Sequence, residues 1–216
     1  MNENVNKKKA ECKPKERIVR AAVKLFAHQG FDGTGLRTLA STADVNLAMI
    51  NYFFGSKKAL LKKILDTFFS GYLAIAREEL AGDDDLQTKL GRFISSSVIY
   101  FETHRDYLLV TITELPHDDP EIIEHKAAWG RQMMEIIDRE ICRPLSTETG
   151  SRVSPTVIGP LLTSMMASRF LFAPIIERVH PSGAEAIKGE DYADIISKFF
   201  LKGIAAFEAG ARGLPE

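Results

Sequence analysis

Between Leu36 and Phe54 the residues follow the pattern of two short helices joined by a turn, and the stretch runs straight into Gly55-Ser56-Lys57. Upstream, Ile18, Ala22, Leu25, Phe26 and Gln29 fall at i, i+4, i+7, i+8 and i+11, which sets four apolar side chains on one face of a helix beginning near Lys15. Gly30 follows the last periodic position, where a left-handed backbone costs little, and Phe31 follows as an apolar plug. In the second helix, Leu36 to Ala43, Leu39 and Ala43 face inward, and Ala40 is small enough for two helices to cross closely. Val45 and Ile50 complete the core from a third helix. A core this small fixes the order of its three helices.

The same register turns Asn46, Leu47, Ala48 and Asn51 outward. A helix held this way on a helical pair is the element that enters a DNA major groove. Any short helical hairpin shows the same spacing, so the motif alone is a weak signal. Here it is joined by the upstream helix, the aromatic run Tyr52-Phe53-Phe54, the Gly-Ser-Lys step and Ala59-Leu60-Leu61 opening another helix. With these residues in place, the stretch from Lys15 to Leu65 closely resembles the DNA-binding domain of the TetR (tetracycline-repressor) family of transcription factors. The remainder of the chain matches that family only in length and helical pattern.

The resemblance implies that Thr34, Arg37, Tyr52 and Lys57 contact phosphates. It implies that Asn46, Leu47, Ala48, Met49 and Asn51 lie where relatives read bases. The residue types suit those roles: hydroxyls and cations bind phosphate oxygens, which position without specifying. Asn can bind adenine through two hydrogen bonds, and Leu or Ala can touch a thymine methyl. Two positions depart from the family. Gly35 stands where relatives carry a Ser or Thr cap, so either Thr34 takes over capping and phosphate contact or the contact is missing. Asp44 stands in a turn where relatives favour Gly; Asp tolerates the left-handed conformation, but it sets an acid near DNA.

Charge follows the same division. Met1–Lys63 holds 13 Lys and Arg against 5 Asp and Glu, a net of +8. The rest holds 15 against 24, a net of −9, and the two return the overall −1. A basic segment on an acidic body is the footprint of a domain that meets a polyanion. Lys7-Lys8-Lys9 alone would be read as a solvated run; beside the helix pair it reads as a salt-dependent electrostatic arm.

The body reads as helical throughout, with no convincing strand. Helices are expected at Ser56 to Leu80, Asp85 to His104, Arg105 to Leu115, Pro120 to Cys142, Pro155 to Val179 and Asp191 to Ala211. Ser56 is placed to cap the first, and Pro120 to open the fourth. The expected fold is all-α: a flexible arm over 1–14, a three-helix DNA-binding domain over 15–57, and a helical ligand-binding and dimerisation domain over 58–216. The run Leu161 to Ile176 contains Ser164, Ser168, Arg169 and Pro174 and falls short of ~20 uninterrupted apolar residues, so it reads as a buried helix. Pro160 and Pro174 should kink or shorten the helix that holds it. Without an apolar stretch after Met1, the chain is expected to be cytoplasmic.

Catalytic signals are few. No phosphate-binding glycine loop, nucleophile elbow or Ser/His/Asp order is present, and neither an enzyme nor a cofactor is expected. His117, Asp118, Asp119, Glu121 and His125 have a spacing that can bind a metal, but Pro116 and Pro120 suit a solvated turn, and no metal is expected. Cys12 and Cys142 are unpatterned, against a structural disulfide.

The last two helices are apolar over more of their circumference than one core needs. Leu161, Leu162, Met165, Met166, Ser168, Phe170 and Phe172 on the first, with Ile195, Phe199, Phe200, Ile204 and Phe207 on the second, leave a surplus face, with Gly203, Ala205 and Ala206 allowing close approach; such a face marks a partner. The resemblance implies a homodimer formed by these helices. Phe68, Phe69, Tyr72, Phe93, Tyr100, Phe101, Tyr107, Trp129, Met133, Met134, Met165 and Phe172 supply aromatics and methionines for an adaptable cavity, though at helical spacing each also suits the core. Arg169, a permanent charge in the most apolar helix, is either paired with Glu114 or an acid across the dimer, or is the counter-ion of an anionic ligand. The expected protein is a ligand-responsive transcriptional regulator, a repressor that leaves a palindromic operator when an apolar or amphipathic effector binds. Its rival is a small-molecule-binding helical protein or enzyme with an incidental helix-turn-helix.

Overall fold

The computed structural model describes residues 13–113, 119–149, 153–180 and 188–211, and every regular element among them is a helix. In chain order these are α1 (Pro14–Gln29), α2 (Leu36–Ala43), α3 (Leu47–Phe54), α4 (Lys57–Glu79), α5 (Leu86–Thr103), α6 (Arg105–Thr113) and α7 (Pro120–Ile137). A π turn at Asp138–Cys142 leads into α8 (Arg143–Thr149), followed by α9 (Pro155–Val179) and α10 (Gly189–Ala211). Two compact units result: residues 1–68 with 106–125, and residues 69–105 with 126–216.

The helix ends obey the local chemistry. Pro14 sits in the first turn of α1, and Gly30 ends that helix at φ 79°, a value costly for any side chain with a Cβ. Ser56 Oγ accepts from the Ala59 amide at 3.0 Å, and Asp85 accepts from the Thr88 amide at 2.9 Å; each hydroxyl or carboxylate satisfies an orphan donor at a helix start. The helix expected at Pro120 to Cys142 is interrupted, because its last turn relaxes into the π turn and α8 continues from it.

In the first unit, α1 packs on α2 and α3, and α2 packs on α3. Ile18, Ala22, Phe26, Leu39, Ala43 and Ile50 close this core with almost no exposure. Phe31 meets Phe26 edge-on at 5.3 Å, filling the role of the plug. In the second unit, α5 is the central helix, packed against both α9 and α10. Its Leu90, Phe93, Ile94, Val98 and Phe101 are fully buried.

Two expectations need correction. The Leu161–Ile176 run is not a buried helix. Leu162, Met166, Ala167 and Phe170 are buried, whereas Leu161, Phe172, Ile175, Ile176 and Val179 are exposed. Length and composition alone would let α9 cross a membrane, but its buried side is packed on protein. Nor do Pro160 and Pro174 shorten it: α9 runs 25 residues through both, each proline removing one intrahelical donor.

Candidate nucleic-acid interface and ligand cavity

The outward face of α3 is built from its start. Asn46 precedes the helix in an extended conformation, and its side-chain oxygen accepts from the Ala48 amide at 2.9 Å. Its first structural duty is therefore capping, although the residue remains exposed. Leu47, Ala48, Asn51 and Tyr52 are exposed, Tyr52 at 84%. Met49 is half-buried and Ile50 is the inward anchor. The Tyr52 ring rests edge-on against Phe53 at 5.1 Å, which orients its hydroxyl away from the core. Arg37 is exposed in the first turn of α2.

The two departures noted in the sequence lie at the two ends of α2. Asp44 adopts the left-handed conformation at φ 53°, ψ 53°, as its short polar side chain permits. Its carboxylate accepts from Arg17 Nη1 at 3.1 Å, so a cation on α1 offsets the acid. At the start of α2, Gly35 is extended and no side chain caps the helix.

Thr34 and Lys57, expected at phosphates, are held by the protein instead. Thr34 is completely buried, and its hydroxyl donates to the Gly30 carbonyl at 2.7 Å. It satisfies the end of α1 and does not present its side chain to a phosphate. The Lys57 ammonium donates to the carbonyls of Phe31 at 2.7 Å and Thr34 at 3.1 Å. It also lies 4.2 Å from the Phe31 ring centroid, over its face. Lys57 thus pins the α1–α2 connection to the start of α4. A lysine in this position looks like a phosphate ligand in sequence because the carbonyls that engage it belong to residues more than twenty positions away.

The basic character of the first unit is also trimmed from within. Lys58 Nζ lies 2.7 Å from Asp119 and 3.2 Å from Glu121, and Lys62 Nζ lies 2.6 Å from Glu121. Hydrogen bonds to Asp119 and Glu121 raise the Lys58 pKa. The Asp119 carboxyl is lowered, chiefly by its bond to Lys58, and that of Glu121 by its bonds to Lys62 and then Lys58. His125, the other residue of the sequence's metal-like cluster, bonds Asp66 at 2.7 Å. Asp119, Glu121 and His125 thus serve as partners of α4; His117 and Asp118 lie outside the described residues, as do Cys12, Lys7-Lys8-Lys9 and Glu114. Cys142 is buried, and burial, with Asp138 adding to it, pushes its thiol up to about 11.

A cavity of about 210 Å³ opens in the second unit. Phe69, Tyr72 and Leu73 of α4 line one wall; Trp129, Gly130, Met133, Met134 and Ile137 of α7 line another; Gly159, Pro160 and Thr163 of α9 close it. Phe69 and Trp129 stack at 6.2 Å, 23° from parallel. Tyr72 is buried, and its hydroxyl lies 3.3 Å from Thr163 Oγ1; burial pushes the Tyr72 pKa up to about 12, Thr163 pulling slightly the other way.

Of the expected cavity residues, Phe69, Tyr72, Trp129, Met133 and Met134 line this space, and the others do not. Phe93 is a core residue stacked under Tyr72 at 5.9 Å. Tyr100 packs on His104 at 4.2 Å, and a Cβ on Gly71 would run into the Tyr100 side chain, so a glycine of α4 makes room for it. Phe68 and Tyr107 belong to the other compact unit, and Met165 is half-buried outside the lining. Phe172 is exposed at 53%. Arg169 Nη2 lies 3.6 Å from Glu102 of the same chain, and its guanidinium lies over Phe170 at 5.9 Å and Tyr192 at 5.5 Å. Arg169 is an intrachain ion-pair residue and does not line the cavity. Sequence reasoning missed Leu73, Gly130, Ile137, Gly159, Pro160 and Thr163: glycines and a proline carry no side-chain signal, and Leu73, Ile137 and Thr163 are types that suit any helix face.

Residues 18–64 match the family model described as "Bacterial regulatory proteins, tetR family". That stretch is identified as a TetR-family DNA-binding domain. Two curated relatives are similar to it over half its length. One is the "Probable HTH-type transcriptional regulator YttP" of Bacillus subtilis (strain 168), 32% identical over 51% of this chain and 54% of the relative. The other is the "HTH-type transcriptional repressor NicS" of Pseudomonas putida, 30% identical over 48% and 49%. The chain spans about half the length of the curated relatives it matches. Among solved structures it shares its fold with the TetR-family regulator PfmR from Thermus thermophilus, with a TM-score of 0.69, 23% identity and coverage of 86% and 97%. A second is FadR from Bacillus subtilis in complex with stearoyl-CoA, with a TM-score of 0.68, 14% identity and coverage of 87% and 97%. At these identities the structural likeness speaks to the fold.

Proposed function

We propose that this chain is a TetR-family, cytoplasmic, non-enzymatic transcriptional repressor that binds a palindromic operator as a homodimer and is released by a small apolar or amphipathic effector. The observation that carries this reading is α3: anchored by Ile50, capped by Asn46, and turning Leu47, Ala48, Asn51 and Tyr52 to solvent as one surface. Arg37 and Tyr52 are the exposed phosphate contacts, and Leu47, Ala48 and Asn51 the base-edge contacts. A curated relative named as a repressor supports the direction of regulation, and a fold neighbour solved with stearoyl-CoA supports effector control.

The dimer reading is supported by the exposed part of the apolar face of α9 and α10; Leu162, Met166, Phe170 and Phe200, expected on that face, are buried within the chain. Val157, Leu161, Phe172, Ile175, Ile176 and Val179 on the first, and Ile195 and Phe199 on the second, are each at least half exposed. Removing such apolar surface from water favours association; the side chains of Ile204, Ala205, Ala206 and Phe207 lie outside the described residues. A two-fold dimer would present two α3 helices to half-sites one turn of DNA apart, about 34–36 Å. Helix α4 gives the effector a route: one continuous helix carries Lys57 at its start and Phe69, Tyr72 and Leu73 at the cavity. An effector that favours one setting of α4 changes operator affinity by the same factor that operator changes effector affinity, ordinarily about 5–150-fold.

Fluorescence anisotropy on duplexes enriched from a random library tests the reading. Asn51→Ala should change which bases are preferred, and Arg37→Ala should weaken all sequences alike. If neither variant alters DNA binding, α3 is not the reader. Phe69→Ala should change effector response and leave apo DNA affinity within about twofold, given a coupling carried by α4.

A further inference from the structure

We propose that the effector is an electrically neutral, compact aromatic molecule with one hydrogen-bonding group, seated between the Phe69–Trp129 stack and the hydroxyls of Tyr72 and Thr163. The proposal rests on the regulator reading above and narrows its ligand to a class. Among the described residues, no Lys, Arg, His, Asp or Glu lines the cavity. The cavity is open to solvent on one side, so a carboxylate or phosphate would keep part of its hydration. The part it lost would meet no opposite charge, and an unpaired charge is more costly to desolvate than a neutral dipole. Arg169, the cation within the apolar Leu161–Ile176 run, lies 3.6 Å from Glu102 through Nη2 and keeps a buried Nη1 without a hydrogen-bond partner, but it lies outside the lining of this cavity.

The cavity also selects by shape. Phe69 and Trp129 lie 23° from parallel, the wall against which a flat ring packs offset. Met133 beside them supplies a flexible, polarisable surface that adapts to a substituent. A cavity of ~150 Å³ lined by apolar side chains holds benzene. Scaled to the 210 Å³ here, that corresponds to roughly eight to ten non-hydrogen atoms: a substituted ring or a fused pair. At the polar end, Tyr72 and Thr163 lie 3.3 Å apart, and paired hydroxyls can both donate to and accept from one ligand group. The Tyr72 hydroxyl stays protonated at any physiological pH. This end therefore suits an amide, phenol or ketone and offers nothing that compensates an anion.

Isothermal titration of the full chain with 4-methylbenzamide and 4-methylbenzoate separates charge from size, because the two differ by little else. The amide should bind at least about tenfold more tightly than the carboxylate, with a change in emission of Trp129, the only tryptophan in the chain. Stearoyl-CoA should give no heat. Met133→Lys should reverse the order of amide and carboxylate. Gly130→Leu is a blocking variant that should fold at least as well as the parent. A Cβ at Gly130 meets nothing within 4 Å, and glycine is unfavourable inside a helix; binding should fall by more than tenfold. A carboxylate that binds as tightly as the amide overturns the proposal, as does amide binding indifferent to Gly130→Leu, or no amide binding at millimolar concentration. DNA binding by the same preparation keeps the two readings apart. Retained DNA affinity with no amide binding defeats the ligand class alone, and amide binding without DNA affinity defeats the regulator reading.

Discussion

Replacing Lys57 with Met distinguishes two roles that sequence alone leaves superimposed. A lysine that neutralises one phosphate contributes about 0.9 to the slope of log affinity against log salt. The structure gives Lys57 another task, with its ammonium bonded to the Phe31 and Thr34 carbonyls at 2.7 and 3.1 Å and seated over the Phe31 ring. Hydrogen bonds to a charged group contribute about 1.5–3 kcal/mol, and a partly exposed cation–π contact about 0.5–1 kcal/mol. Both carbonyls lie in part-buried bonds, so water recovers some of that loss, and Met keeps the packing of the aliphatic stem. The net cost should be about 1–2 kcal/mol, or roughly 2–8 °C in melting temperature for a chain of this size. Scanning calorimetry measures the stability, and anisotropy on a fixed duplex between 50 and 300 mM salt measures the slope. The expected outcome is a lower melting temperature with the slope unchanged within about 0.3. An unchanged melting temperature with a slope reduced by about one would refute the structural role and restore Lys57 to the DNA.

Three further outcomes follow from the same geometry. Asn46→Ala removes the cap of α3 and should cost about 1 kcal/mol of stability, whereas Asn46→Asp keeps the cap and should cost little; urea titration of the three proteins ranks them. Phe172→Glu with Phe199→Glu places charges on the exposed apolar face of α9 and α10 and should convert a dimer to a monomer in sedimentation velocity with helicity unchanged. For pH, the Asp119 and Glu121 pKa values are lowered by Lys58 and Lys62, so their contribution is present at neutral pH and is lost as pH falls below about 4. The raised Lys58 pKa adds a contribution present below pH 10 and lost on going well above it. Lys58→Met with Lys62→Met should flatten the acid limb of the stability curve. Salt at 0.5 M should shrink the difference, since these pairs are solvent-accessible.

What the sequence disclosed depended on the range of the forces involved. Helix boundaries such as Leu36–Ala43 and Pro155–Val179 were legible because periodicity and proline placement act within a few residues. Asp44 in the left-handed turn was legible for the same reason. The roles of Thr34, Lys57 and Arg169 were not: each is set by a partner brought close only by folding, respectively the Gly30 carbonyl, the Phe31 and Thr34 carbonyls, and Glu102. The positive balance of the first third had the same blind spot, because Lys58 and Lys62 meet Asp119 and Glu121 from a segment sixty residues later. In the cavity, an aromatic stripe announces apolar surface but not which side of a helix stays empty. Phe93 fills the core and Trp129 borders the void, and only the packing of α4, α7 and α9 tells them apart.

The central claim, that two copies of α3 read DNA together, is tested most directly by selecting bound duplexes from a random double-stranded library with the full chain. Each half-site should be displaced from its mate by one helical turn, 10–10.5 base pairs or a small multiple. Recovery of an inverted repeat with that spacing, lost in parallel by Asn51→Ala and by the doubly charged Phe172 and Phe199 variant, is the predicted result. Recovery of no enriched sequence, or of a single half-site still bound tightly by the monomeric variant, would contradict it.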